Sequence, residues 1–243
     1  MATIEMQETI GSLVAHQPAL SRIFEAAGID YCCGGKKSLE QACHDKNIDP
    51  VKLLESLQQA AEQAESTLEF NALAATLTEL ADHIERIHHQ YLRSELPRLD
   101  KLAAKVALVH GGHDPRLLEV RQVFLHMSQE LSLHTMKEEQ VLFPLIRKLD
   151  GSASLPAFHC GSIANPIRQM ELEHDEAGSA LTRLRSLTDD YTPPQDACNT
   201  YRALLDGLHE LERDMHIHVH KENSVLFPRA IELEARLVGA ATE

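Results

Sequence analysis

Two segments far apart in the chain repeat one pattern. Residues 134–144 read His134-x-x-x-Glu138-x-x-x-Leu142-Phe143-Pro144, and residues 218–228 read His218-x-x-x-Glu222-x-x-x-Leu226-Phe227-Pro228. A His and a Glu four positions apart lie one turn apart on the same face of a helix. The leucine four residues further on extends that face and turns it toward a core. A carboxylate in a core is very costly unless it is paired or bound to a metal. Two such glutamates, each one turn from a histidine, point to a dinuclear metal site. The plainer alternative is two surface His–Glu pairs that coincide with a packing repeat.

The segments that carry the repeat are long and helical in pattern. From about residue 72, four stretches show apolar residues three and four apart, at about 72–109, 115–149, 165–188 and 195–236. "HGGHDP", "DGSAS" and "TPP" break them. Four long amphipathic stretches with short connections predict an all-α, antiparallel four-helix bundle. Composition agrees: aromatics are 4%, Trp is absent, and helix formers dominate. The net charge of -14 disfavours nucleic acid as a partner, because phosphate backbones repel an acidic chain. No run of apolar residues is long enough to span a membrane, and the first twenty residues have no signal-peptide pattern. Five cysteines without disfulfide-framework spacing fit a reducing cytoplasm.

The chain holds 15 histidines, many of which read as surface groups. In the third long segment, "MELEHDEAG", His174 falls on the apolar face with Met170, Ala177 and Leu181 and reads as a ligand. In the first, "DHIERIHHQYLRSELP", core periodicity through Leu80, Ile84 and Ile87 favours His88 over His89. Periodicity can fail where a helix bends around a metal. His16, His44, His83, His110, His113, His126, His159, His209, His216 and His220 read as surface or supporting groups.

Residues 1 to about 66 form a separate small helical module. A helix is expected over "TIGSLVAHQPALSRIFEAAGI", with Leu13, Leu20, Ile23 and Phe24 on one side. A second follows from Ser38 and a third over 49–66, with Asp49 as cap and Pro50 in the first position. Between the first two stands "DYCCGGKK". Adjacent trans residues have Cα atoms ~3.8 Å apart, below the ~4.4 Å lower limit of ordinary disulfides. A strain-free bond between Cys32 and Cys33 is therefore not expected. Two neighbouring thiols can share a metal, react with nitric oxide or exchange with a disulfide; a buried structural turn is the alternative. Gly34 and Gly35 would allow a tight turn that exposes the sulfurs. Cys43 is near enough in sequence to join them, whereas Cys160 and Cys198 show no partner.

With these motifs in view, the chain resembles the bacterial Repair of Iron Centers family over nearly its whole length. "DYCCGGKKSLEQAC", "HTMKEEQVLFP", "ELEHDEAG" and "HKENSVLFPRA" carry the resemblance. It implies an N-terminal helical domain over 1–66 and a hemerythrin-like bundle over 72–240. It implies His89, not His88, as the first-helix ligand, together with His134, His174 and His218. Glu138 and Glu222 become bridging carboxylates between two non-haem iron ions, with an oxo or hydroxo group as a further bridge. Glu130 and Glu173 match acidic positions near the family's site, to orient imidazoles or line an iron path. Imidazole and carboxylate suit iron better than calcium or magnesium. Oxygen-carrying hemerythrins have His-x-x-x-His in the third helix; here the second position is Gly178, which weakens the oxygen-carrier reading.

The function so implied is repair of iron–sulfur clusters damaged by nitrosative or oxidative stress, by supplying iron. The catalytic alternative is reduction of nitric oxide or peroxide. A further alternative is a sensor or store of oxygen, nitric oxide or iron. Damaged iron–sulfur proteins are the expected clients, with Cys32 and Cys33 as transfer thiols. The cytoplasm is the expected location. A homodimer is compatible with a detachable module, though no residue marks an interface.

Overall fold

The computed structural model describes residues 4–63 and 70–240. Among these residues the regular structure is helical, apart from one isolated antiparallel bridge between Thr9 and Ser38. The expected domain boundary near residue 66, the expected end of the third helix and the first residues of the chain lie outside the described residues.

The N-terminal module contains α1 (Ile10–His16), α2 (Ser21–Ala26), α3 (Leu39–Lys46) and α4 (Pro50–Gln63). The first predicted helix is in fact broken in two. Pro18 cannot continue α1, and it forces the preceding Gln17 out of helical geometry to φ -137°, ψ 84°. A short 3₁₀ turn, Pro18–Leu20, then leads into α2. Leu13, Leu20 and Phe24 still share one buried cluster, with Ile23 packed against it. Ser38 caps α3 by accepting from the Gln41 amide, and the Asp49 carboxylate accepts from the Val51 amide at the start of α4.

The remainder is built on α5 (77–110), α6 (116–150), α7 (Ala164–Leu187) and α8 (199–240). Helix α5 starts later than the periodicity predicts, because Thr76 and Glu79 form a reciprocal capping box. Helix α8 likewise starts late, with Cys198 at its N-cap. Contacts between ends establish the antiparallel order. The start of α5 meets the end of α6 through Thr78 and Asp150, whose Oδ2 accepts from both the Thr78 amide and hydroxyl. Arg116 at the start of α6 pairs with Asp189 just past α7. The Ile163 amide before α7 donates to Glu234 near the end of α8.

Three of the four long helices are not purely α. Each contains one π-helical turn: Glu85–His89 in α5, Glu138–Leu142 in α6 and Lys221–Leu226 in α8. Such widened turns are rare and concentrate at functional sites. In α6 and α8 the repeated Leu-Phe-Pro supplies a cause. A proline ring clashes with the carbonyl four residues before it. For Pro144 and Pro228 those carbonyls belong to Gln140 and Ser224, both inside the widened turns. No proline occupies the equivalent place in α5.

The bundle interior divides into three layers. One apolar cluster gathers Leu99, Phe124, Leu184 and Leu211. A second gathers Leu80, Phe143, Ile167 and Phe227. Between them lies a layer of buried histidine and glutamate: His89, His134, Glu138, His174, His218 and Glu222.

Candidate metal centre

The polar layer is assembled from all four helices. His89 ends the π turn of α5, and Glu138 begins that of α6 one turn after His134. His174 projects from regular α7, and His218 precedes the π turn of α8 that holds Glu222. The widened turn in α5 also explains the register of the histidine pair. Ile87, predicted inside, is 42% exposed, whereas His88 and His89 are both buried. The extra residue rotates His89 into the layer and turns His88 aside, toward Asp214.

The donors form two overlapping groups, His89, Glu138, His218, Glu222 and His134, Glu138, His174, Glu222. Within each, the ligand-type atoms lie within 4.8 Å of one another. Glu138 Oε2 is 3.3 Å from both His89 Nε2 and His134 Nε2. Glu222 Oε2 is 3.1 Å from His174 Nε2, and its Oε1 is 3.1 Å from His218 Nε2. The two glutamates thus stand between the two histidine pairs.

Outer partners fix three of the rings. His89 Nδ1 donates to Glu139 Oε1 at 2.8 Å, His134 Nδ1 to Glu173 Oε2 at 3.0 Å and His174 Nδ1 to Asn223 Oδ1 at 2.9 Å. A proton on Nδ1 leaves Nε2 with a lone pair aimed at the centre. Glu139 is held in turn by Arg93, and Glu173 by Lys137 and Gln169. His134 and Lys137 beside Glu173 hold its carboxyl at about 2, well below the usual range. The sequence reading singled out Glu173 but missed Glu139 and Asn223. Each of these follows its neighbouring ligand glutamate by one residue, a signal that no core periodicity contains. Glu130, also singled out, is exposed on α6 and does not belong to either donor group.

The donor set fits a metal ion on electrostatic grounds. Glu138 and Glu222 are completely buried, yet both Glu138 oxygens, Glu222 Oε2 and His89 Nε2 lack a hydrogen-bond partner. Orphaned buried carboxylate oxygens are expensive. His134 Nε2 and His174 Nε2 also face each other at 3.1 Å. With both rings neutral and both Nδ1 atoms donating outward, two lone pairs would meet there, and a proton or a metal cation between them removes the repulsion. Burial disfavours a charged His174, but the Glu222 and Glu138 carboxylates outweigh it and raise its pKa to about 9. The centre thus attracts positive charge.

The module lies against this centre. Cys33 Sγ is 3.6 Å from the His174 carbonyl oxygen, and Asn223 Nδ2 is 3.4 Å from the Cys32 carbonyl. Lys36 pairs with Glu171 of α7. The glycines do allow a tight turn, since a Cβ on Gly34 or Gly35 would stand 2.5 or 2.7 Å from the carbonyl oxygen of Asp30 or Tyr31. They do not expose both sulfurs: Cys32 is buried in the bundle cluster and Cys33 half-buried. Cys43 lies apart, in the module core. Cys198 does have a partner, His110 Nε2 at 3.3 Å. Of the histidines read as surface or supporting groups, His83 and His220 are buried, His83 stacked on Phe70 and His220 edge-on to Tyr31.

Residues 83–230 match the hemerythrin HHE cation binding domain, and residues 6–61 match a domain of unknown function, DUF542. The chain is similar to proteins named iron-sulfur cluster repair protein YtfE from Escherichia coli O8 (strain IAI1) and Shigella boydii serotype 4 (strain Sb227). Identity to each is 39% over 226 residues, covering 92% of this chain and 96% of the relative. The relative from Escherichia coli K12 / DH10B matches to the same extent. No described helix is long and apolar enough to cross a membrane.

Proposed function

The chain belongs to the Repair of Iron Centers family, and from that premise we propose that it restores damaged iron–sulfur clusters by supplying iron from a dinuclear centre. It is an iron–sulfur cluster repair protein of the stress response. The observation that carries the iron pair is the sharing of Glu138 and Glu222 between two groups of histidines. His89 and His218 would hold one ion and His134 and His174 the other, with both glutamates bridging. Bound iron would supply both exchangeable metal and redox capacity.

The protein's own residues govern retention and release. Glu139, Glu173 and Asn223 hold protons on the outer ring nitrogens and so keep the inner nitrogens free to bind. His174 is basic enough to take a proton when metal leaves, so release and protonation are coupled there. The apolar clusters above and below exclude water from the layer. Five free cysteines suit a reducing compartment, and we place the protein in the cytoplasm with damaged iron–sulfur proteins as its clients.

The test uses protein loaded with ⁵⁷Fe and an iron–sulfur hydro-lyase inactivated by nitric oxide. Supply predicts that client activity returns and that its rebuilt cluster carries the label. Recovery with the label still in the bundle would reject supply and favour turnover of nitric oxide or peroxide at the centre.

A further inference from the structure

Next to the metal layer, the loop after α2 gathers three further donors. Cys32 Sγ lies 3.1 Å from Asp30 Oδ1 and 4.0 Å from Cys33 Sγ. One ligand atom from each of the three residues fits within 4.8 Å of the others. We infer that Asp30, Cys32 and Cys33 form a second, three-donor site for a thiophilic divalent cation, and that it receives iron leaving the bundle. The second clause rests on the iron-supply reading; the first does not.

Geometry supports the site. Metal–sulfur bonds of ~2.3 Å in a tetrahedral site place two sulfurs ~3.8 Å apart, close to the 4.0 Å observed. The Asp30 carboxylate is fixed in place, because its Oδ1 accepts from the amides of both Cys32 and Cys33. Cys32 and Cys33 both line a cavity of about 180 Å³ that also touches Lys36, Arg168, Glu171 and Asp175. A fourth coordination position can therefore be filled from the cavity by water or by a donor from a client. Two thiolates and one carboxylate around a dication leave one negative charge, and Lys36 and Arg168 border the same cavity. Binding is not a redox step: each thiol gives its proton to solvent as its metal–sulfur bond forms. Without an ion, the neighbouring Cys33 thiol and burial push the Cys32 thiol well above its ordinary range. Cys32 then waits as a neutral thiol rather than as a standing nucleophile.

Location supports the direction of transfer. Asn223 bonds the His174 ring through Oδ1 and approaches the Cys32 carbonyl through Nδ2. Cys33 Sγ meets the backbone carbonyl of the same histidine. Asp30 is exposed, so the trio connects the buried layer to the surface.

Cadmium is the probe. Cd²⁺ is titrated into the anaerobic, reduced full-length protein with its bundle metal in place, and thiolate-to-cadmium absorption is followed. The expected result is one Cd²⁺ per chain, with the band lost in Cys32→Ser/Cys33→Ser. Asp30→Asn keeps the band but weakens binding by about tenfold, the scale of losing a supporting metal contact. No band at millimolar Cd²⁺, or a band that survives in Cys32→Ser/Cys33→Ser, overturns the site. Iron loss to a ferrous chelator should slow in the same double variant, and an unchanged rate overturns the transfer role. Iron content read on Glu138→Ala/Glu222→Ala separates the two claims. If that variant keeps its iron, the bundle assignment fails while the cadmium result stands.

Discussion

Two clusters of histidine and carboxylate lie side by side, one drawn from all four long helices and the other from α5 and α8 alone, and they balance their charge differently. In the metal layer, four imidazoles surround two glutamates, and several inward-facing atoms have no hydrogen-bond partner. Beside it, His88 Nδ1 donates to Asp214 Oδ1 at 2.8 Å, and Lys221 Nζ lies 2.9 Å from His88 Nε2 and 3.0 Å from His83 Nε2. Here a lysine occupies the place that a metal ion would take. Burial, followed by Lys221, lowers His88 to about 3, and burial raises Asp214 to about 6. His88 is therefore neutral and accepts from the lysine. The rings of His88 and His218 stack at 5.2 Å, so the two clusters touch. Buried histidine is common to both clusters and so does not by itself distinguish the proposed metal site; buried carboxylate with no cation of the protein's own does.

The largest effects should come from exchanging the two adjacent histidines. His89→Ala should weaken metal binding by at least about 100-fold at one position, more than an outer partner's loss. His88→Ala should leave metal content unchanged. Titration of metal-free protein with ferrous iron distinguishes them, and equal losses would break the contrast between the clusters. Next come the outer partners: Glu139→Ala and Asn223→Ala should each weaken iron binding by about 10–100-fold without changing its saturating stoichiometry. Lys221→Met should have the complementary effect. It leaves two buried imidazole acceptors without their donor and should lower stability by about 1–3 kcal/mol in urea unfolding, with metal retained. The smallest effect concerns a histidine pairing outside both clusters. The Tyr201 amide at the start of α8, together with His110, lowers the Cys198 thiol to about 7. Its alkylation by iodoacetamide should reach half its maximal rate near pH 7 and fall below that pH as the thiol takes up its proton. His110→Ala should move the midpoint upward.

Most of the frame was legible in the sequence because it rests on periodicity. The His-x-x-x-Glu repeat depends on residues one turn apart, and His174 lies in step with Met170 and Ala177 along regular α7. The first-helix member of the donor groups was not legible that way. Periodicity assumes 3.6 residues per turn throughout, and the π turn at 85–89 adds one residue just before the ligand. Only the family resemblance pointed to His89. The break at Pro18 was available from proline's fixed geometry, but the apolar pattern continues across it and conceals it. Glu139, Asn223 and the lysine between His83 and His88 become visible only once helices are placed against each other. Their partners are distant in sequence, and nothing local marks them.

The most direct test of the dinuclear centre is the iron content and Mössbauer spectrum of anaerobically purified protein, measured beside Glu138→Ala/Glu222→Ala. Two irons per chain, magnetically coupled through a bridge and lost in the double variant, are expected. A single ion, zinc in place of iron, or coupled iron that survives the loss of both glutamates would contradict this.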